Sequence, residues 1–261
     1  MNNTPELLSP AGDLDKMRFG IAYGADAVYM AGTRFGMRAA ATNFDDNALR
    51  EGIAYAHAHG VKCYITVNIM PSNRDLPALP AYLELLQDAG ADALIIQDLG
   101  LARLIHAHAP DFALHASTQM TIHTLDAAKQ ARDIGFSRVV LSRECSREEI
   151  KLITEQAGVE TEVFVHGALC MCYSGQCYLS AVIGQRSGNR GLCAQPCRLP
   201  YSGGYPLSLK DLMLAGHVAE LSDWGVSSLK IEGRMKRPEY AAIVTKVYSD
   251  LLREHRRPTA E

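Results

Sequence analysis

The sequence lacks the features of a membrane protein, an exported protein and a strongly basic nucleic-acid binder. Its apolar runs are all interrupted well before the ~20 residues that a membrane helix needs. Residues 1–6 do not join a basic region to an apolar stretch, so we expect no signal peptide. Lys and Arg total 26 against 29 Asp and Glu, a net charge of -3, so any nucleic acid would have to bind a local basic patch. We therefore expect a cytoplasmic protein with no membrane segment.

Disulfide bonds are also unexpected. Hydrophobic residues make up 48% of the 261 residues, as in ordinary globular proteins, and a chain of this length can bury a core without cross-links. The seven cysteines are an odd number without an export signal, which favours metal or redox use over disulfides. Cys63 and Cys145 fall in or beside predicted strands, and we expect them to be small core residues.

Short apolar runs alternate with helical patterns along the chain. Eight of each, over about 250 residues, predict an α/β fold, a (β/α)8 TIM-like barrel that forms a single domain over 1–261. The pattern alone also allows an open doubly wound sheet, but residues 9–13 lack the glycine-rich dinucleotide loop of such folds. The predicted strands are 6–9, 27–31, 63–68, 93–98, 113–119, 138–144, 162–167 and 228–232. The predicted helices are near 14–23, 46–59, 76–89, 99–108, 124–134, 147–157, 211–223 and 238–255.

The stretch 170–206 interrupts this alternation. It holds five of the seven cysteines, is rich in Gly and Pro, and has no clear period. It follows the seventh predicted strand, so it lies at the barrel face where active sites are found. Because it is too short to fold alone without a metal or cluster, we expect a cysteine-rich, cluster-binding insertion.

The expected ligands in this stretch are Cys170, Cys177, Cys193 and Cys197, with Cys172 in reserve. Four thiolates can hold zinc or an iron–sulfur cluster. Structural zinc favours two tight pairs, whereas six residues separate the first pair here and three separate the second. The wide spacing favours a [4Fe–4S] cluster, while zinc, inert cysteines and disulfide formation stay open.

Residues 162–180 resemble the signature of peptidase family U32 at every fixed position. The resemblance implies a TIM-like barrel and a [4Fe–4S] cluster on the matching Cys170, Cys177, Cys193 and Cys197. It covers nearly the whole chain, through further similar segments at 6–12, 24–29, 188–197 and 228–234.

The family name marks collagenase-like proteases, but better understood members resemble RNA hydroxylases. One branch hydroxylates a wobble uridine of tRNA using prephenate, another a cytidine of 23S rRNA, and a third acts in oxygen-independent ubiquinone synthesis. Residues 183–190 and the short link after Cys197 look closer to the rRNA type. Both RNA branches normally carry further C-terminal segments, so this chain is either a short member or a catalytic-domain piece.

Motifs of common hydrolases are missing. There is no H-E-x-x-H for a metalloprotease and no G-x-S-x-G for a serine hydrolase. A cysteine protease needs a thiolate beside a histidine, and a cluster would occupy the thiols that follow His166. Chemical support for proteolysis is therefore weak, and the family resemblance implies hydroxylation of an RNA base, with a U32-type peptidase and a ubiquinone hydroxylation protein as alternatives.

A hydroxylase of this kind needs a pocket for an anionic co-substrate such as prephenate beside its redox centre. Guanidinium groups suit carboxylates because they bind both oxygens. We expect catalytic roles for His166, Glu232 and Glu144. We expect substrate contacts from Arg143, Arg186, Arg190, Lys230, Arg234, His115 and Gln119. Such polar residues at strand ends can instead cap helices or satisfy backbone groups.

RNA also needs positive charge and stacking partners. Residues 183–200 contain three arginines and no acidic residue, and further cations follow the last predicted strand. Tyr173, Tyr178 and Tyr201 are close in sequence and can stack on bases. The alternative is a solvated loop with structural tyrosines.

Overall fold

The computed structural model describes residues 4–37 and 42–254. Within these ranges, eight parallel strands form a closed barrel in the order β6-β5-β4-β3-β2-β1-β9-β7, and β6 pairs with β7 to complete the ring. The expected (β/α)8 fold is confirmed. The barrel strands are β1 (Glu6–Pro10), β2 (Ala27–Met30), β3 (Lys62–Val67), β4 (Ala93–Ile96), β5 (Ala113–Ala116), β6 (Arg138–Val140), β7 (Glu160–Gly167) and β9 (Ser228–Ile231).

The helices lie around this barrel, and most begin at a capping side chain. Asp13, Asp45, Asp98, Thr124 and Ser146 each accept a hydrogen bond from a backbone N–H of the first turn, which satisfies a group that the helix leaves unpaired. The described helices are α1 (Leu14–Ala22), α2 (Asp46–Ala58), α3 (Leu79–Ala89), α4 (Leu99–His108), α5 (Leu125–Ile134), α6 (Arg147–Gln156), α7 (Leu179–Gly184), α8 (Val218–Asp223) and α9 (Pro238–Glu254). Across the part of the chain that is described, no helix is both long and apolar enough to cross a bilayer.

Side chains alternate between two packed layers. Leu8, Tyr29, Tyr64 and Ile95 point into the barrel, where they form one buried cluster. Their neighbours in sequence point outward into the larger core between strands and helices. Cys63 belongs to that outer core and Cys145 packs against it, as expected for small core residues.

Three predicted elements are wrong in part. Where we predicted the first part of a helix near 211–223, the chain forms strand β8 (Leu212–Met213), which pairs antiparallel with the end of β7. Helix α8 starts only at Val218. The strand predicted at 113–119 ends at Ala116, because the chain turns there into a short 3-10 helix capped by Ser117. The strand predicted at 138–144 likewise stops at Val140. Residue 255 of the last predicted helix lies outside the described residues.

The cysteine-rich stretch lies between β7 and β8. It contains α7 and two short 3-10 helices, Gly188–Arg190 and Pro196–Arg198, none of which we predicted. Its placement at the carboxyl end of β7 brings it to the barrel mouth.

Candidate active site at the barrel mouth

A polar pocket opens where the barrel strands end. The space between its walls, including solvent at its open mouth, is about 420 Å³. Among the residues we expected in the site, Gln119, Arg143, Lys230, Glu232 and Arg234 line it. The complete lining is Tyr29, Met37, Thr66, Asn68, Ile95, Ser117, Thr118, Gln119, Arg143, Phe164, Lys230, Glu232 and Arg234. Three cationic side chains and one carboxylate therefore face this space, which suits an anionic ligand.

Arg143 is held at the pocket wall by an ion pair and a ring contact. Its Nη2 atom lies 3.0 Å from Oε2 of Glu232, and its guanidinium carbon lies 3.8 Å from the ring centroid of Phe164. The Arg143 side chain is only 7% exposed, so this ion pair is shielded from water on most sides. Glu232 and Phe164 thus fix the guanidinium at the pocket wall.

Lys230 enters the pocket from the last barrel strand, and Arg234 enters it from the turn after that strand. Arg234 donates to Oγ1 of Thr66 over 3.1 Å, and Lys230 donates to Oε1 of Glu162 over 2.7 Å. Both cations lie near the ring of Tyr29, at 5.6 and 4.5 Å from its centroid. Sequence reasoning missed Tyr29 and Thr66, although their inward alternation on β2 and β3 is a usable signal.

Below the pocket, a buried charge network fills the barrel. Arg138 contacts Glu6, Glu160 and Glu162 at 2.7, 2.8 and 3.4 Å. Burial raises the pKa of the Glu162 carboxyl, but the charges of Lys230 and Arg138 outweigh it and hold that pKa below its ordinary value. Glu162 therefore stays ionised beneath the pocket floor.

His115 belongs to this lower layer rather than to the pocket lining. Its ring meets Tyr64 edge-on with centroids 4.7 Å apart, and among the described residues its Nδ1 atom has no hydrogen-bond partner. Burial, followed by the charge of Arg138, lowers the pKa of His115 to about 3. The ring is therefore neutral near pH 7.

His166 points away from the pocket. An irregularity in the β7–β9 pairing lies between Phe164 and His166, so His166 faces outward like its partner Ile231. Its ring lies against Tyr240 and Tyr248 of α9, with centroids 5.9 and 5.7 Å away. Burial lowers its pKa below the ordinary value.

Glu144, Arg186 and Arg190 lie outside the pocket lining as well. Glu144 accepts hydrogen bonds from the backbone N–H and hydroxyl of Ser174, at 2.6 and 3.1 Å. The exposed Arg190 pairs with Asp75 at 2.9 Å, and Arg186, also exposed, donates to the carbonyl of Leu192 at 3.0 Å. These contacts stabilise the conformation of the cysteine-rich stretch.

The cysteine-rich stretch packs directly on the pocket rim. A side chain at Gly175, whose φ is +78°, would overlap the carbonyl oxygen of the pocket residue Gln119. On another side of the rim, the carbonyl of Asn189 accepts from the backbone of Met70 over 3.0 Å. Arg198 ties the two ends of the stretch together by donating to Leu169 and Leu209.

The four expected ligand cysteines all lie within this stretch. Burial raises the pKa of the Cys197 thiol, the charge of Arg198 opposes this rise, and Cys193, Cys170 and Cys177 raise the pKa further. Nevertheless, no three Cys, His, Asp or Glu side chains of the described residues are arranged to hold a single metal ion.

Comparisons with known proteins agree with this architecture. The model of peptidase family U32 matches residues 12–261. A tRNA hydroxylation protein P1 of Bacillus subtilis is 37% identical, over 95% of this chain and 63% of its own length. The 23S rRNA 5-hydroxycytidine synthase of Escherichia coli is 40% identical, over 95% of this chain and 39% of its own. A collagenase of Porphyromonas gingivalis is 32% identical, over 96% and 66%.

A solved structure of a U32 peptidase has the same fold. It superposes with a TM-score of 0.61 at 14% identity, covering 88% of this chain and 94% of its own. The chain spans about two fifths to two thirds of the length of the relatives named above. With the family model matching all but the first 11 residues, the chain belongs to peptidase family U32.

Proposed function

We propose that this barrel hydroxylates a base of tRNA or 23S rRNA, at a site formed by the polar pocket and the cysteine-rich stretch. The observation that supports the proposal is the direct contact of the cysteine-rich stretch with the cationic pocket, at Gly175 and Gln119. The names of the relatives from Bacillus subtilis and Escherichia coli support RNA as the substrate. Action on RNA also favours a cytoplasmic location.

The cofactor in this proposal is a [4Fe–4S] cluster held by Cys170, Cys177, Cys193 and Cys197. Such a cluster supplies one-electron redox chemistry beside the pocket. The protein supports the Cys193 thiolate with two donors, the backbone N–H of Gln195 at 3.4 Å and the hydroxyl of Ser180 at 3.8 Å.

Within the pocket, Arg143, Lys230 and Arg234 bind the carboxylates of an anionic co-substrate, for which prephenate is our candidate. Glu232 orients Arg143 through their 3.0 Å ion pair, and Gln119 offers an amide to the edge of a flipped base. Arg186, Arg190 and the exposed tyrosines of the cysteine-rich stretch contact RNA outside the pocket.

The test compares nucleosides of tRNA and rRNA by mass spectrometry, in cells that lack the gene and in cells complemented with variants. We expect a hydroxylated pyrimidine to disappear without the gene and to return with the wild type or Glu160→Gln. With Glu232→Gln its formation falls at least about ten-fold, equivalent to ~1.4 kcal/mol of barrier. Unchanged nucleosides in the gene-less cells would overturn the proposal.

A U32-type peptidase is the second candidate, favoured by the similarity to the collagenase. Among the described residues, no hydrogen bond joins a cysteine thiol or serine hydroxyl to a histidine ring, so a nucleophile–base pair is missing. Gelatin cleavage by the purified protein that is lost in Cys172→Ala would favour the peptidase.

A further inference from the structure

The backbone of Thr121 adopts a conformation that threonine rarely takes. Its φ of +59° and ψ of 38° lie in the left-handed region, where a β-branched side chain crowds the backbone. Among the described residues, it is the one β-branched residue with a positive φ. It follows the short 3-10 helix Thr118–Met120 and lies two residues after Gln119 of the polar pocket. Such strain persists only where surrounding contacts impose it, and it is concentrated at functional sites.

The hydroxyl of Thr121 makes two contacts with the cysteine-rich stretch. It donates to the carbonyl oxygen of Ser174 over 2.7 Å and accepts from the side-chain amide of Gln176 over 3.0 Å. Both partners lie between Cys172 and Cys177. The strained residue therefore joins the loop that lines the pocket to the segment that carries two of the cysteines.

Ser174 is also bound by Glu144, which follows strand β6. An oxygen of this carboxylate accepts from the backbone N–H of Ser174 over 2.6 Å and from its hydroxyl over 3.1 Å. Ser174 is 1% exposed, whereas the preceding Tyr173 is 58% exposed, and no other residue between Cys170 and Cys177 is buried. Since the barrel binds both backbone groups of Ser174, this residue anchors the first half of the stretch.

We propose that Thr121 and Glu144 are positioning residues, which hold Ser174 and thereby fix the cysteine-rich stretch at the pocket rim. Neither side chain lines the pocket, so both act through Ser174 rather than on a bound ligand. Their importance for catalysis rests on the proposed function, in which the segment that carries Cys177 must keep a fixed place beside the pocket. Their loss should therefore displace this segment and leave the pocket lining intact.

Hydrogen exchange measures the anchoring in the purified protein without reference to RNA or iron. Thr121→Val removes the hydroxyl but keeps the branched shape, and the backbone amides of residues 172–177 should exchange about two- to ten-fold faster, the effect of one neutral hydrogen bond. Glu144→Ala should accelerate exchange in the same segment, whereas Thr121→Ser keeps the hydroxyl and should match the wild type. The matched control is Thr154→Val on α6, which removes a 3.0 Å hydrogen bond to Thr161 outside the stretch.

The nucleoside comparison described above tests the consequence for the reaction. Thr121→Val should lower the amount of hydroxylated pyrimidine at least about two-fold, because misplaced reacting groups slow catalysis. Thr121→Ser should restore it, and Thr154→Val should leave it unchanged. Thermal melting checks that each variant is folded, and Glu144→Ala carries both tests if Thr121→Val does not fold.

The outcomes separate this proposal from the proposed function. Exchange at the wild-type rate in both Thr121→Val and Glu144→Ala would overturn the anchoring. Faster exchange together with undiminished hydroxylation would overturn the positioning role. If cells without the gene lose no hydroxylated nucleoside, the proposed function fails, and the exchange rates still decide whether the two residues anchor the stretch.

Discussion

One arginine shows how strongly burial decides the value of an ion pair. Arg138 contacts three carboxylates at similar distances, but their exposure differs: Glu162 is 0% exposed, Glu6 12% and Glu160 53%. The Glu160 pair is screened by water, whereas the burial of Glu162 is compensated by its ionic partners Arg138 and Lys230.

Glu162→Gln should therefore destabilise the protein by about 3–5 kcal/mol, because it leaves Lys230 and Arg138 buried without their shared counter-charge. Glu160→Gln, the matched control on the same arginine, should cost less than about 1 kcal/mol. Urea unfolding measures both values. Equal losses would show that the network gains nothing from burial.

The same pair predicts a pH dependence. Since the folded state lowers the pKa of Glu162 from its ordinary value of 4.5, its stabilisation is complete above that value and is lost as the pH falls through the folded pKa. The stability difference between wild type and Glu162→Gln should shrink below about pH 4.5. A difference that is constant from pH 6 to the onset of acid unfolding would contradict this assignment.

Sequence reasoning located several pocket residues because parallel strands all end at one barrel face. That rule led to Arg143, Lys230, Glu232 and Arg234. It could not place His166, because one irregular pairing in β7 turns this side chain outward, and strict alternation does not reveal such a shift.

At the scale of elements, the cysteine-rich stretch depends on glycine at its contact with the barrel. Gly175 combines a left-handed backbone with a contact that leaves no room for a side chain. Gly203 has a similar φ of +82°, but a side-chain carbon added there would meet no atom within 4 Å. Substitution of Gly203 therefore measures the cost of backbone strain alone, whereas substitution of Gly175 adds a steric clash to it.

Gly175→Ala should displace the stretch from the pocket rim and lower the iron content of the purified protein by more than half. Gly203→Ala carries only the backbone cost of about 1 kcal/mol and should keep its iron. Metal analysis with thermal melting reads out both variants. Equal iron in the two proteins would mean that the Gly175 contact does not position the cysteines.

The sequence was least informative for the elements of this stretch and its exit. Helix α7 has six residues, too few to show a period of 3.6. Strand β8 has two residues and exists through pairing with His166 and Gly167, a tertiary contact with no local signal. The barrel strands, by contrast, repeat one pattern eight times and were predicted in order.

For the whole molecule, a net charge of -3 means that the proposed RNA binding would rest on few contacts. The number of phosphate contacts can be obtained from the salt dependence of the binding constant, because each neutralised phosphate releases counterions. Arg186→Ala should reduce the slope of log K against log salt by about one and weaken binding uniformly across sequences. The control is Arg103→Ala, at an exposed arginine on α4, which should leave the slope unchanged. If Arg186→Ala also leaves the slope unchanged, Arg186 does not contact RNA phosphates.

Metal analysis of anaerobically purified protein decides whether the mouth of this barrel holds a redox centre. We expect a brown protein with about four irons and matching sulfide per chain, the content of one cubic cluster. Cys193→Ser should lose both, and Cys145→Ala, outside the stretch, should keep them. A colourless protein with one zinc per chain, or iron that survives Cys193→Ser, would contradict the account.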